Sequence, residues 1–353
     1  MKYPSVGIKP IEKKHLDAAG KHLDNLTKPR GSLGSLEDVA ARLFAMGGGR
    51  IPIVVEPAVM LTVAGDHGVA AQNVSPYPQI VTRQMVGNFL DGGAAVNVLC
   101  RRAGMDLHIV DAGCAGGPFE RHPMLLDRRL GDGTADISRG PAMSREVCLG
   151  GIEKGIALAE DFATRGYACI GTGEMGIANS TAAAALYCAL LRLEPDEAVG
   201  PGAGADQTML FHKIEIVRQA LRVNAALLRD DDPASVLAAL GGFEIAVLCG
   251  IMLGAAARGL PVLIDGFICS AAYAAAVKIC PDMSGYAILS HSSAEPGHVR
   301  AMQKLVPDQR PLLSLGMRLG EGTGAAAAYP LVCCAAAVYN EMATFTSAGV
   351  SGA

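Results

Sequence analysis

The chain has no tryptophan, and aromatic residues fill only 5% of its 353 positions. Its apolar half is therefore built from Ala, Val, Leu, Ile and Met. Long blocks of like charge are also missing, and the formal net charge is −4. That argues against a nucleic-acid or anionic-membrane footprint. The early lysines (Lys9, Lys13, Lys14, Lys21) are interrupted by Glu12 and Asp17, as on a solvated helix face. No C-x-x-C pair occurs among the ten cysteines, so no disulfide framework is indicated. Reduced, mostly buried thiols in a reducing compartment are expected. The opening MKYPSVGIKPIEKKH has no apolar stretch, so no leader is expected and a cytoplasmic location is. The apolar run from Ile245 to Ala257 is too short to cross a bilayer, and the alanine-rich run from Thr323 to Tyr339 contains Pro330. Both predict buried helices.

What is present is glycine, 43 of them, together with short apolar runs that alternate with alanine-rich segments. Residues 10–27 and 35–46 predict helices, the second with Leu36, Val39, Ala40, Leu43 and Phe44 on one face. Strands are predicted at 58–64, 107–113, 167–171, 261–266 and 287–291, with helices such as 181–191 and 271–279 between them. Continuous apolar strands alternating with helices imply a mostly parallel α/β sheet covered on both faces. These strands run into polar residues: Asp66 and His67, Asp111, Glu174, Asp265, and Ser290 with His291. In open α/β sheets the ligand crevice lies at the carboxyl ends of the strands, so these endings should converge.

Four segments carry chemistry. Gly171-Thr-Gly-Glu-Met-Gly-Ile-Ala-Asn-Ser-Thr181 takes a strand through a glycine turn into a helix, with Asn179, Ser180 or Thr181 as the expected cap. Free amides at such a start hold anions, and a phosphate fits. The run also spells G-x-G-x-x-G, but the acidic strand end expected about 20 residues on is replaced by the turn-like Leu193-Glu-Pro-Asp-Glu197, which disfavours a dinucleotide. Arg318-Leu-Gly-Glu-Gly-Thr-Gly324 brackets one carboxylate with glycines ahead of a helix, with Thr323 as the expected cap. Alone, Glu321 reads either as a capping residue or as a general base. In Ser290-His-Ser-Ser-Ala-Glu-Pro-Gly-His298, Pro296-Gly297 breaks any H-E-x-x-H face, so a ligand- or subunit-contacting loop is expected and no metal. Asp66-His67 reads as a catalytic pair or a satisfied strand end. Lys213 follows the glycine-rich 200–204 and reads as a phosphate contact or a solvated helix lysine.

Together these segments resemble the nicotinate-nucleotide–dimethylbenzimidazole phosphoribosyltransferase family of cobalamin lower-ligand assembly. The stretches that carry the likeness are Thr27–Glu37, Asp66–Val69, Gly92–Ala95, Gly173–Ile177, Asp265–Phe267, Ser290–His298 and Arg318–Gly324, in order along nearly the whole chain. The resemblance implies a Rossmann-like sheet domain over 47–324 and a small helical domain from both chain ends, 1–46 with 325–353. It implies transfer of ribose 5-phosphate from nicotinate mononucleotide to 5,6-dimethylbenzimidazole by a homodimer without cofactor or metal. It makes Glu321 the general base and puts Glu174 in the active site. Gly176, Ile177, Asn179 and Lys213 would hold the phosphate, and Gln84 would line the base pocket. Asp66, His67, Gly173, Asp265, Ser290, Arg318 and Gly320 complete the expected site. Ala178 and Ser180 stand where the family pattern has Gly and Thr, and Ser75-Pro-Tyr-Pro78 is particular to this chain. Transfer to a different acceptor, a purine or a phenol, is the alternative activity. A non-catalytic nucleotide-binding protein or a dinucleotide-dependent oxidoreductase is the alternative class.

Overall fold

The apolar runs form six strands: β1 (Ala58–Gly65), β2 (Met105–Gly113), β3 (Leu125–Asp127), β4 (Cys169–Met175), β5 (Val262–Ile264) and β6 (Ala287–Leu289). The computed structural model describes residues 6–202, 204–229 and 232–351. The outer tips of both chain ends and Ala203 of the glycine-rich loop lie outside the described residues. All neighbouring strands run parallel, in the order β3-β2-β1-β4-β5-β6. This is the doubly wound order, whose direction of winding reverses between β1 and β4. Every residue of β1 is buried, as a strand covered on both faces requires. Five strands coincide with those expected from sequence. The sixth, β3, is a three-residue edge strand with a half-exposed burial pattern, too short to leave a periodic signal.

Glycine sets the closeness of the layers. Helices Arg145–Thr164 and Phe243–Ala257 cross with their backbones touching. A methyl group at Gly155 would strike the Val247 carbonyl, and one at Gly250 would strike the Ile152 carbonyl. Phe243–Ala257 is buried along almost its entire length, as its sequence suggests. Among the described residues no helix is long and apolar enough to cross a membrane.

The two chain ends meet. Helices Lys13–Asp24 and Ser35–Met46 pack with helix Thr323–Glu341. The Thr27 amide bonds the Ala343 carbonyl at 3.0 Å, and the Phe345 amide bonds that of Asn25 at 3.0 Å. Phe44 stacks on Tyr339 with centroids 5.1 Å apart. The start of Thr323–Glu341 also reaches the sheet, against β4 and β5. It thereby brings the Glu321 segment to the carboxyl ends of the strands.

Candidate active site

A cavity of about 640 Å³ opens beside the β1–β4 switch point. One wall is the end of β4 and the turn after it, Glu174 to Ser180. Beside it lie Arg318 to Glu321. Val74, Tyr77, Val81 and Met85 form an apolar side, while Lys213 and Glu295 line a polar end.

Glu321 and Glu174 share one mount. The Glu321 amide donates to the Glu174 carbonyl at 3.2 Å, and the Thr62 hydroxyl donates to the Glu321 carbonyl at 2.7 Å. Glu321 has φ 64°, one of four non-glycine residues in the described chain with a left-handed backbone. Such a conformation costs of the order of 1–3 kcal/mol and needs surroundings that enforce it. Gly173 supplies part of that enforcement: a Cβ there would collide with the Glu321 carbonyl. The Glu321 carboxylate accepts from the Val96 amide at 3.3 Å, at the start of helix Ala95–Ala103. Burial raises its pKa and Asp265 adds to this, while the Val96 amide opposes both. The outcome is a partly desolvated carboxyl that keeps one hydrogen bond to its charged form.

Glu174 is more deeply buried. Its carboxyl is pushed up to about 8, by burial first and then by Asp265, Glu244 and Glu321, against the pull of Asn179. The Asn179 side-chain amide donates to it. Gly320 lies so close that a side chain there would strike the Glu174 carboxyl. Glu174 is therefore held uncharged near neutrality.

Asp265, at the end of β5, does not line the cavity. It caps the helix behind Glu321, accepting from the Gly324 amide at 2.8 Å, Ala325 at 3.1 Å and Gly322 at 3.3 Å. Thr323 was the expected cap. The structure instead places Gly322 at the N-cap with φ 99°, and Thr323 bonds the Gly320 carbonyl at 2.8 Å. Asp265 replaces a local cap because a buried carboxylate satisfies three N–H groups at a helix start where one hydroxyl could satisfy fewer.

The turn after Glu174 also departs from its expected cap. Ala178, with φ 75°, occupies the N-cap of helix Asn179–Leu191. The Ile177 amide donates to Thr82 Oγ1 at 3.0 Å, and the Asn179 amide donates to the Gly176 carbonyl at 3.1 Å. The Ala178 and Ser180 amides of this turn have no such bond among the described residues. Lys213 closes this end: its ammonium donates to Ser180 Oγ at 2.8 Å and the Gly200 carbonyl at 3.1 Å. Burial pushes it down to about 8, with Glu295 pulling the other way.

Of the residues expected from sequence, Glu174, Gly176, Ile177, Asn179, Lys213, Arg318, Gly320 and Glu321 line the cavity. Gly173 lies under Glu321 and Asp265 behind it. Ser290 is buried and donates to the Ile264 carbonyl at 2.6 Å, tying β6 to β5. Gln84 is exposed on helix Ile80–Leu90, next to the face that carries Val81 and Met85 into the cavity. Asp66 and His67 support the site from outside the cavity. Asp66 accepts from the Ala115 amide at 2.8 Å. His67 Nε2 is 2.6 Å from Glu244 Oε1, both side chains fully buried. Burial opposes a charge on His67, but Glu244 and then Asp66 overcome it and raise its pKa. The His67 ring lies against Gly176, beneath the turn.

Sequence reasoning left out Glu244, Thr62 and the Val96 amide. Glu244 has a visible signal: it is the single charge in the apolar run 243–257. Thr62 is the one hydroxyl in β1. His291 and Glu295, in the loop expected to contact ligand or a neighbouring subunit, both line the cavity. His298 accepts from the Ser293 amide at 3.2 Å on Nδ1, so its Nε2 carries the proton toward Ser270 Oγ at 3.0 Å. Burial, with His291 beside it, pushes His298 down to about 4, so it stays neutral.

A family model described as phosphoribosyltransferase matches residues 8–350. A curated relative from Nitratidesulfovibrio vulgaris (strain DP4), named nicotinate-nucleotide–dimethylbenzimidazole phosphoribosyltransferase, is 57% identical over 346 residues, covering 98% of this chain and 96% of its own length. One of the same name from Solidesulfovibrio magneticus is 54% identical over 344 residues, with the same coverage. The crystal structure of CobT from Thermus thermophilus superposes with a TM-score of 0.91 at 41% identity, over 96% of this chain and 100% of that one.

Proposed function

The chain belongs to the nicotinate-nucleotide–dimethylbenzimidazole phosphoribosyltransferase family, and from that premise we infer how its own cavity performs the reaction. The enzyme moves ribose 5-phosphate from nicotinate mononucleotide to 5,6-dimethylbenzimidazole, releasing nicotinate and α-ribazole 5′-phosphate. The observation that carries our assignment of roles is the polarity of the cavity. Two carboxyls on one backbone mount, and an ammonium beside a helix start, line the same cavity.

The donor phosphate sits at the turn, on the amides of Ala178 and Ser180, with Lys213 as counter-charge. The apolar side formed by Val74, Val81 and Met85 receives the aromatic acceptor. The pyridinium ring of the donor leaves as the neutral pyridine ring of nicotinate and needs no acid. An unprotonated benzimidazole nitrogen attacks the anomeric carbon from the opposite face, which inverts the β-linked donor into an α-linked product. The second ring nitrogen then sheds its proton to Glu321, whose carboxylate the Val96 amide keeps in place. Positive charge grows on the ribose as the bond to nicotinate breaks. Glu174 lines the cavity close by and stabilises that growing charge with its carboxyl oxygens, with no proton transfer required.

Incubation with nicotinate mononucleotide and a panel of benzimidazoles, purines and phenols tests this reading. Release of nicotinate with appearance of an α-linked nucleotide is expected for dimethylbenzimidazole. Absence of nicotinate release with every base would refute it. A homodimer in the cytoplasm is part of the same proposal, and light scattering of the purified chain tests the assembly.

A further inference from the structure

Glu295 stands out among the cavity residues. It is buried to 4% exposure, and neither carboxylate oxygen has a hydrogen-bond partner among the described residues. A buried carboxylate without partners is costly unless a charge compensates it. Its side chain packs on Gly200, so closely that a methyl group there would strike it. The Gly200 carbonyl in turn holds Lys213 at 3.1 Å. Glu295 is thus one residue removed from the ammonium and acts on it through space.

The other charges around Lys213 are occupied elsewhere. Asp196 pairs with Arg218 and Glu197 with Arg300. Glu215, on the lysine's own helix, also pairs with Arg218. His212 bonds the Gln72 carbonyl at 2.7 Å. Arg318 donates to the Gly202 carbonyl at 3.1 Å. Glu174 is engaged by Asn179, and burial keeps His298 neutral. Among these described residues, Glu295 is the one acid without a partner of its own.

We propose that Glu295 is the positioning residue of the phosphate end: its carboxylate holds Lys213 in cationic form between Ser180 and Gly200, ready for the donor phosphate. The proposal rests on the reading of Lys213 as a phosphate contact. It gives Glu295 two opposed effects. Its charge sustains the ammonium, which helps donor binding when Lys213 starts to discharge. Its charge also repels the phosphate, which hinders binding when Lys213 is fully charged anyway. Burial already holds Lys213 down at about 8, so the two effects should cross within an accessible pH range.

The experiment compares donor KM against pH for the wild type, Glu295→Gln, Glu295→Asp and Lys213→Met. The Glu295→Gln profile is expected to begin its alkaline rise about one pH unit earlier. That corresponds to a roughly five-fold higher KM near pH 8 and an equal or lower KM near pH 6, with kcat moving far less than KM. Glu295→Asp, which keeps the charge, is expected to restore most of the profile. With phosphate-free nicotinate riboside the crossing should vanish. A pH-independent change in KM, or a loss confined to kcat, overturns the role of Glu295 while leaving Lys213 its own. An unchanged donor KM in Lys213→Met overturns the phosphate reading beneath it.

Discussion

The amide of Glu321 is bonded to the carbonyl of Glu174 at 3.2 Å, so the two carboxyls of the cavity are fixed to each other through the main chain. Neither can move without the other. This linkage joins the end of β4 to the segment before helix Thr323–Glu341, which are far apart in sequence. It also separates their chemistry. Glu174, deeper and beside three other acids, is uncharged near neutrality, while Glu321 retains an amide donor to its charged form.

Replacing Glu321 by Gln keeps its shape and removes its basicity. Turnover is expected to fall by roughly a hundred- to ten-thousand-fold, the usual span for loss of a general base. Nicotinate mononucleotide should still bind with a nearly unchanged dissociation constant, since its phosphate is held elsewhere. Calorimetric titration and initial rates check both. Turnover within ten-fold of wild type would remove Glu321 from the role of base.

Glu174 makes stability depend on pH. Its pKa rises on folding from the ordinary 4.5 to about 8, so the folded state binds the proton more tightly than the unfolded state. Its contribution is complete below about 4.5 and is lost as pH rises through 8. Glu174→Gln has no such proton to lose. The variant should gain on the wild type between these limits, by a few kcal/mol at most, and the gap should level off above them. Thermal unfolding across the range measures it. A gap that does not change with pH would contradict the burial argument.

Gly173 and Gly171 lie in the same strand but predict different outcomes. At Gly173 an added methyl meets the fixed backbone of Glu321 and Gly322. At Gly171 it meets the Met60 Cε at 2.7 Å and the Met105 Cε at 3.0 Å, both flexible side-chain ends. Gly173→Ala should cost about 1–3 kcal/mol and sharply reduce kcat by displacing Glu321. Gly171→Ala should keep its kcat within a few-fold, because methionine can repack. Equal kcat losses in the two variants would show that the mount of Glu321 is not the sensitive point.

Ala178 occupies a left-handed backbone at φ 75° in the turn proposed to receive the phosphate. The strain is about 1–2 kcal/mol, partly offset in a glycine variant by the greater entropy of its unfolded chain, about 0.5–1 kcal/mol. Ala178→Gly should therefore raise the denaturation midpoint slightly with donor KM preserved. A lowered midpoint would mean that the Ala178 methyl packs usefully enough to outweigh its strain.

Much of this was open to reading in the sequence for a definite reason. A strand buried on both faces needs an unbroken apolar run, and a strand that ends at a ligand crevice needs polar residues next. β1, β2, β4, β5 and β6 show both features within a few residues, and their order along the chain suits only parallel pairing with helical crossovers. Glycine turns around Glu174 and Glu321 are local as well. β3 escaped because three half-exposed residues carry no period.

The chain by itself determined the alternation of strands and helices, the glycine turns and the identity of the two carboxyls, because burial periodicity and backbone conformation act between near neighbours. The tertiary structure alone decided which groups those carboxyls meet. Asp265 arrives from another strand to cap helix Thr323–Glu341, and the Glu321 carboxylate instead meets the Val96 amide. Whether Asp66 and His67 face the substrate depends on Glu244, which draws the imidazole into the interior. Charge pairing and desolvation are set by distance in space, and distant segments acquire it only when the sheet has formed.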